Sequence, residues 1–267
     1  MGITLEVLDD LRQKGLLKKG GAVLDIGSSN LYSAYAEEIR SFLLHFGVDQ
    51  DTAFINRVAT GSSYGHGRAA NESFVGELLE KAGMTYLAFD IANGFRTRIF
   101  DLNNETIPRV LARSFDVVLN FGTTEHVVHQ LNCFRVIHDA TRVGGSIVHQ
   151  VPTTGYIDHG YFCYTPRFFF DLAASNNYEL TAFRYSGPAP GNDSYDVVRD
   201  YIPYFPALEA SISDPFAVPS RTLFIVLRKT VHAPLKLPME RSTSVVRPAV
   251  ETIRNRLNNF FSRARAG

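Results

Sequence analysis

The chain has 267 residues, 45% of them hydrophobic, which suits one sizeable α/β domain and excludes global disorder. Its 27 basic and 27 acidic side chains balance, so no nucleic-acid surface spread over the whole chain is expected. Two cysteines, Cys133 and Cys163, do not make a disulfide scaffold or a cysteine-rich zinc module, and neither a signal-peptide layout nor an apolar run of about 18 residues occurs, so a cytoplasmic protein without a membrane span is expected.

Residues Thr4 to Leu17 read as a helix, with Leu5, Leu8, Leu11 and Leu16 near helical spacing and Lys18-Lys19-Gly20-Gly21 as its stop. Ala22-Val23-Leu24 follows as a short strand buried on both faces. It runs into Asp25, Gly27, Ser28 and Ser29. Gly27 can turn the chain sharply and leave room beside the backbone. A helix is expected from about Leu31 to Phe46, capped by Ser28, Ser29 or Asn30. Strand, Gly-containing loop and helix in that order open a nucleotide-binding α/β sheet.

The stretch from Gly47 to Ala70 is polar and Gly-rich, centred on Gly61-Ser62-Ser63-Tyr64-Gly65-His66-Gly67. So long an irregular segment in a compact domain reads as a lid, a binding loop or a disordered segment. Asn71 or Ser73 then starts a helix carrying Phe74, Val75, Leu78 and Leu79, and Gly83 ends it. Strands are expected at Thr85–Phe89, stopping at Asp90, at Arg98–Phe100, stopping at Asp101, and at Phe115–Phe121. Gly122 to His126 break the last of these, and a helix runs from about Val127 to Thr141. Gly144-Gly145 opens a fifth strand, Ser146 to Val151, which Pro152 closes. Pro166 suits the first turn of a helix reaching about Ser175. Tyr178–Tyr185 and Thr222–Arg228 are the final strands. Between them, residues 187–220 hold six prolines and form an insertion. Residues 1–235 thus read as one domain with insertions at about 47–84 and 187–220. Residues 236–267 form a basic tail, helical from about Val246 to Ala264. No internal repeat is visible.

Strands that end in acidic or small polar residues set those residues along one rim of a parallel sheet, where ligands bind. Here the series is Asp25/Gly27, Asp90, Asp101, Asn120 to His126, then Val143-Gly144-Gly145. In that order it resembles a class I S-adenosylmethionine-dependent methyltransferase of the small-molecule type, over roughly residues 15–185 and 222–228. Val23-Leu24-Asp25-Ile26-Gly27 matches the family's first motif. Phe115-Asp116-Val117-Val118 with Glu125-His126-Val127 resembles the fourth, and Arg142 to Ser146 resembles the turn before the fifth strand. Ser29 and Leu31 stand where that family usually has further glycines. The 65 positions from Asp25 to Asp90 imply an insertion in that passage. They also count against a dinucleotide dehydrogenase, whose acidic residue follows the glycines by about 20 positions.

The resemblance implies a doubly wound, mostly parallel seven-stranded sheet with insertions over its ligand rim, and S-adenosyl-L-methionine as cofactor. Asp90, with Ile91 beside it, would accept from the ribose hydroxyls. Asp25, Gly27, Ser28 and Ser29 would surround the methionine part. Asp101 would accept from the adenine amino group, with Leu102 against the ring. Asn120, Phe121 and Gly122 would line the rim beside the sulfonium. This last stretch is not the Asn-Pro-Pro-aromatic signature of nucleic-acid amino methylation.

On the acceptor side, Glu125 and His126 stand at a helix start, where they serve chemistry or simply cap. His159, in Gly155-Tyr156-Ile157-Asp158-His159-Gly160, follows the fifth strand and is the candidate general base, with Asp158 or Glu125 to orient it. No spacing among His66, His126, His129, His149 and His159 forms a metal signature, so no metal is expected. The expected activity is methylation of a small molecule, at a hydroxyl oxygen, in a protein that is monomeric or a homo-oligomer. The alternatives are a cofactor-binding protein without turnover, an NAD-dependent oxidoreductase or epimerase, and an RNA methyltransferase.

Overall fold

The computed structural model describes residues 2–48, 51–60, 73–156, 159–186 and 220–239. The Gly61–Gly67 loop, Asp158, the proline-rich 187–219 and the tail from 240 lie outside the described residues.

The chain opens with β1 (Gly2–Thr4) and α1 (Leu5–Gln13), whose first turn is capped by the Thr4 hydroxyl accepting from Val7 N. Next come β2 (Ala22–Ile26), β3 (Asn30–Tyr32), α2 (Ala36–Leu44), α3 (Thr52–Val58), α4 (Val75–Lys81), β4 (Thr85–Asp90) and β5 (Thr97–Ile99). Then follow β6 (Phe115–Phe121), a 3-10 turn at Thr124–His126, α5 (Gln130–Ala140), β7 (Thr141–Thr154), α6 (Pro166–Asn176), β8 (Tyr178–Ser186) and β9 (Arg221–Lys229). Seven strands form one sheet in the order β5-β4-β2-β6-β7-β9-β8. All neighbours are parallel except at β9, which runs antiparallel to both β7 and β8. This is a doubly wound, mostly parallel seven-stranded sheet, as expected from the sequence. No helix among the described residues is long and apolar enough to cross a membrane.

Alternation along the strands divides the core in two. Val23, Val117, Leu119 and Phe121 point to the face covered by α1 to α4, with Leu8, Leu11, Ile39, Phe42, Ile55 and Leu78 packed there. Leu24, Ile26, Val118 and Ile147 point to the other face, under α5 and α6, with Phe134, Ile137, Phe169 and Leu172. Lys229 is buried among them, and its ammonium donates to the His138 and Thr141 carbonyls at 2.7 and 3.0 Å, closing the end of α5.

Several elements differ from expectation. Within the stretch expected to be irregular, Thr52–Val58 forms the helix α3, capped by the Asp51 carboxylate accepting from Phe54 N at 3.0 Å. The segment after Gly27 is not yet helical at Leu31. Instead Asn30–Tyr32 pairs in parallel with Gly2–Thr4, and Leu31 N donates to Ser73 O at 2.9 Å, so these backbone groups find distant partners and α2 waits until Ala36. The helix after β6 begins at Gln130, because Thr124–His126 forms a separate 3-10 turn. The fifth strand in chain order starts at Thr141 and passes through Pro152. Its partner β6 ends opposite Gln150, so the ring at Pro152 removes no ladder bond on that side, and the Pro152 carbonyl accepts from Tyr164 N at 2.8 Å.

Candidate functional site

The chain travels outward from β2 to β4 and β5, then returns to lay β6 on the other flank of β2. The strand order therefore reverses between β2 and β6, and a crevice opens beyond their carboxyl ends at such a switch point. The loops after β2, β4, β6 and β7 face it. A separate cavity of about 450 Å³ lies at the opposite rim, lined by Lys18, Lys19, Asp116, Arg142 and Arg228. It flanks the amino ends of β2, β6 and β7 and belongs to a different place in the fold.

On the β2 side, Asp25 is fully buried. One of its carboxylate oxygens accepts from Ser29 N at 3.0 Å and from the Tyr86 hydroxyl at 2.8 Å, which ties the loop to the sheet. The other oxygen has no partner among the described residues. Burial pushes the Asp25 carboxyl up to about 7, with nearby Asp90 adding to it and the Ser29 and Tyr86 bonds pulling the other way. Tyr86 gains its position because Gly76 of α4 stands over its ring: a Cβ there would lie 2.2 Å from Tyr86 Cε1.

Gly27 has φ +94°, and a Cβ on it would fall 2.1 Å from Thr123 Oγ1. The glycine is thus required by the loop after β6 pressing on the loop after β2, beyond any need of a ligand. Asp90 accepts from Ser28 N at 2.8 Å with one oxygen and from Ala92 N at 3.0 Å with the other. Each oxygen keeps a further lone pair. The hydroxyls of Ser28 and Thr97 meet at 3.0 Å. Ile91 is 78% exposed, an apolar side chain left open beside Asp90.

Asp101 lies one step along the rim. Its carboxylate accepts from Asn103 N and Asn104 Nδ2 in a tight turn, and these bonds hold its pKa below the usual carboxylate value. The side chains of Leu102 and Phe121 belong to the core, so these residues offer a ligand only their backbone. Gly122 N donates to Gln150 O at 2.9 Å. Asn120 is buried, with its amide shared between Thr124 Oγ1 at 2.9 Å and His149 Nδ1 at 3.0 Å. Tyr164 extends the same network, donating to Thr124 Oγ1 and Gln130 Oε1. The network fixes the 3-10 turn that carries Glu125 and His126.

The three acceptor-side candidates come together. Glu125 is 1% exposed, yet its Oε2 has no partner among the described residues, and its Oε1 lies 3.9 Å from His159 Nε2. Burial pushes this carboxyl up to about 7. The rings of His126 and His159 meet edge to face at 4.8 Å, and Tyr156 stands 5.4 Å from His159. Burial first, then the neighbouring His159, lowers the His126 pKa. The loop is held here by the Glu125 carbonyl, which accepts from Tyr161 N at 2.7 Å and Phe162 N at 3.2 Å. Gly160, at φ +72°, allows the approach, since a Cβ would lie 3.0 Å from Glu125 Cγ.

Tyr86, Thr97 and Tyr164 were not among the sequence candidates. For Tyr86 a signal existed: a tyrosine inside a buried strand needs a partner for its hydroxyl, and Asp25 in an apolar strand needs a donor.

No protein family matches the chain in sequence, and no curated protein matches it. Among solved structures, a putative methyltransferase from Bacillus halodurans aligns over 84% of this chain and 99% of its own at 12% identity, with a TM-score of 0.46. The 1,6-didemethyltoxoflavin-N1-methyltransferase of Burkholderia thailandensis aligns over 85% and 76% at 12% identity, TM-score 0.41. Geranyl diphosphate C-methyltransferase of Streptomyces coelicolor aligns over 84% and 77% at 11% identity, TM-score 0.40. The strand order described above stands independently of these remote likenesses.

Proposed function

We propose that the chain is an S-adenosylmethionine-dependent methyltransferase that methylates a hydroxyl oxygen of a small molecule. The observation that carries this reading is the pair of acidic groups at the switch point: the buried oxygen of Asp25 that has no partner among the described residues, and the half-buried carboxylate of Asp90. That set fits a ligand with one ammonium and two vicinal hydroxyls. Asp25 would hold the ammonium, Asp90 the ribose hydroxyls, and Ile91 would cover the face of the adenine. Ser28 and Ser29 keep their amides on Asp90 and Asp25, which fixes both carboxylates in place before any ligand arrives.

When bound, the cofactor supplies an electrophilic methyl group, so the protein's tasks are positioning, exclusion of water and removal of the acceptor's proton. His159 would serve the last task. Its Nε2 would take the hydroxyl proton as the oxygen attacks, with Glu125 close enough to stabilise the imidazolium. Tyr156 offers an aromatic wall beside His159 for a ring-shaped or sugar-like acceptor.

The test is calorimetry and thermal melting with S-adenosylhomocysteine against NAD, followed by release of S-adenosylhomocysteine over a panel of hydroxylated acceptors. S-adenosylhomocysteine should bind and raise Tm while NAD does neither. Asp90→Asn, which cannot accept two hydroxyls as strongly, should weaken the binding by about 1–3 kcal/mol. Tighter binding of NAD would overturn the cofactor assignment, and methylation found only on amines or carbons would overturn the acceptor atom.

A second expectation concerns pH. The Asp25 carboxyl sits at about 7 in the free protein because it is buried, and a bound ammonium favours its ionised form. Binding therefore releases a proton below that pH. Affinity for S-adenosylhomocysteine should rise with pH up to about 7 and then level, being about ten- to thirtyfold weaker near pH 5.5. Asp25→Asn should bind more weakly with a flat profile. A flat or inverted profile in the parent protein would remove the ammonium from Asp25.

A further inference from the structure

Three side chains at the crevice have a use that proton transfer does not exhaust. One ligand atom each from Glu125, His126 and His159 lies within 4.8 Å of the others. In a tetrahedral site with metal–ligand bonds of about 2.0–2.2 Å, two donors lie about 3.3–3.6 Å apart. Closing the set thus needs the widest pair to contract by roughly 1.2–1.5 Å. His159 is 40% exposed on the loop next to Gly160, and His126 is exposed, so rotation of two surface imidazoles supplies it.

The independent observation is the state of that carboxylate. Glu125 is 1% exposed, and its Oε2 is buried without a hydrogen-bond partner among the described residues. A buried carboxylate oxygen without a donor is costly unless the group takes up a proton or a cation meets it. Among the described residues neither lysine nor arginine forms an ion pair with it, and His159 Nε2 lies 3.9 Å from its Oε1. The surroundings also hold the triad together. The Glu125 carbonyl pins the loop through Tyr161 N and Phe162 N, and the Asn120–Thr124–Tyr164 network fixes the turn beneath.

We propose that Glu125, His126 and His159 bind one divalent first-row transition-metal ion as a two-histidine, one-carboxylate site. Two imidazoles with one carboxylate favour zinc, iron(II) or cobalt(II) over magnesium or calcium, which take all-oxygen sets. Three protein ligands leave coordination positions open. Those positions face the acceptor side of the crevice, so the ion would hold the acceptor through one or two of its oxygens. The site stands without the proposed methyl transfer; only this use of the open positions rests on that reading.

The experiment is titration of the metal-stripped full chain with CoCl2, followed by visible absorbance, with ZnCl2 calorimetry in parallel. One equivalent should bind saturably and raise Tm. His159→Ala, His126→Ala and Glu125→Gln should each lower affinity by roughly 10–100-fold or more. His45→Ala, a change at an exposed histidine on α2's end bonded to the Ser41 carbonyl, should leave it unchanged. No saturable uptake at up to about 1 mM ion, in the range of non-specific contacts, would overturn the site. So would undiminished affinity in both histidine variants, which expose surface imidazoles to change and should stay folded by circular dichroism. S-adenosylhomocysteine calorimetry on the same stripped protein separates the proposals: cofactor binding without metal uptake ends this one and leaves the methyltransferase reading intact, and the reverse result does the opposite.

Discussion

His159→Ala is expected to lower turnover by about 10²–10⁴-fold while S-adenosylhomocysteine affinity and Tm hold nearly steady. The split follows from where the residue sits. Its ring is 40% exposed, and its ring neighbours are His126 and Tyr156, so truncation removes little packing. The cofactor groups Asp25 and Asp90 belong to other loops, fixed by Ser28, Ser29 and Tyr86. A loss of rate with a parallel loss of Tm would instead make His159 a support for the loop that Glu125 pins. Retention of full turnover would end its role in the reaction, whether as base or through an ion. These two roles separate by metal addition. If the imidazole acts alone, stripping the parent protein of metal leaves its rate unchanged; if it acts through an ion, zinc or cobalt restores a rate that stripping abolished.

The residues of this site were legible in the sequence to very different degrees. Asp25 and Asp90 stand out because each ends a short apolar run, and a run buried on both faces has one place to put a charge, its end. Register then matters: Asp25 lies opposite Ala88 on β4, so the free end of β4 carries Asp90 just beyond Ile26. The adjacency of Glu125 and His126 was visible, and Glu125 was one of two partners expected for His159; what brings that loop to Glu125 was not, since it depends on two backbone N–H groups donating to the Glu125 carbonyl. Hydrogen bonds of that kind leave no trace in composition. Asn30–Tyr32 misled in the same way, since its local pattern continues into a helical one and only the distant Gly2–Thr4 and Ser73 give its backbone a strand's partners. Asn120 looked like a rim residue because it ends β6. Its side chain points to the α5 and α6 face, and there the buried His149 takes it. Burial with no charged partner lowers the His149 pKa to about 3, so it stays neutral and works as part of the core. The reason for Gly27 was equally hidden: a strand-ending glycine suggests a ligand, and the structure supplies Thr123.

Gly27→Ala should destabilise the protein by about 2–5 kcal/mol, combining about 1–2 for a left-handed backbone with about 1–3 for overpacking. Both terms come from one geometry. At φ +94° an L side chain is strained wherever it points, and this one points at Thr123, with Oγ1 at 2.1 Å, Cβ at 3.2 Å and Cγ2 at 3.3 Å. The neighbouring backbone has little freedom to yield, because Gly27 N donates to Phe89 O at 2.8 Å and Ser28 N and Ser29 N are held by Asp90 and Asp25. For a domain of this size the loss corresponds to a Tm lower by roughly 5–20 °C. A double-mutant cycle isolates the contact. In a Thr123→Gly background the clash is gone, so Gly27→Ala should cost only the backbone part, and the coupling between the two positions should be about 1–3 kcal/mol. S-adenosylhomocysteine affinity serves as the second readout. The loop displaced by the alanine carries the Ser29 amide that orients Asp25, so affinity should fall in the single variant and return in part in the double. Equal cost in both backgrounds would mean that Thr123 yields freely and that the loops after β2 and β6 are not locked together. An unchanged Tm in Gly27→Ala would remove the positive φ itself, and with it the tight turn that sets Asp25 and Asp90 side by side.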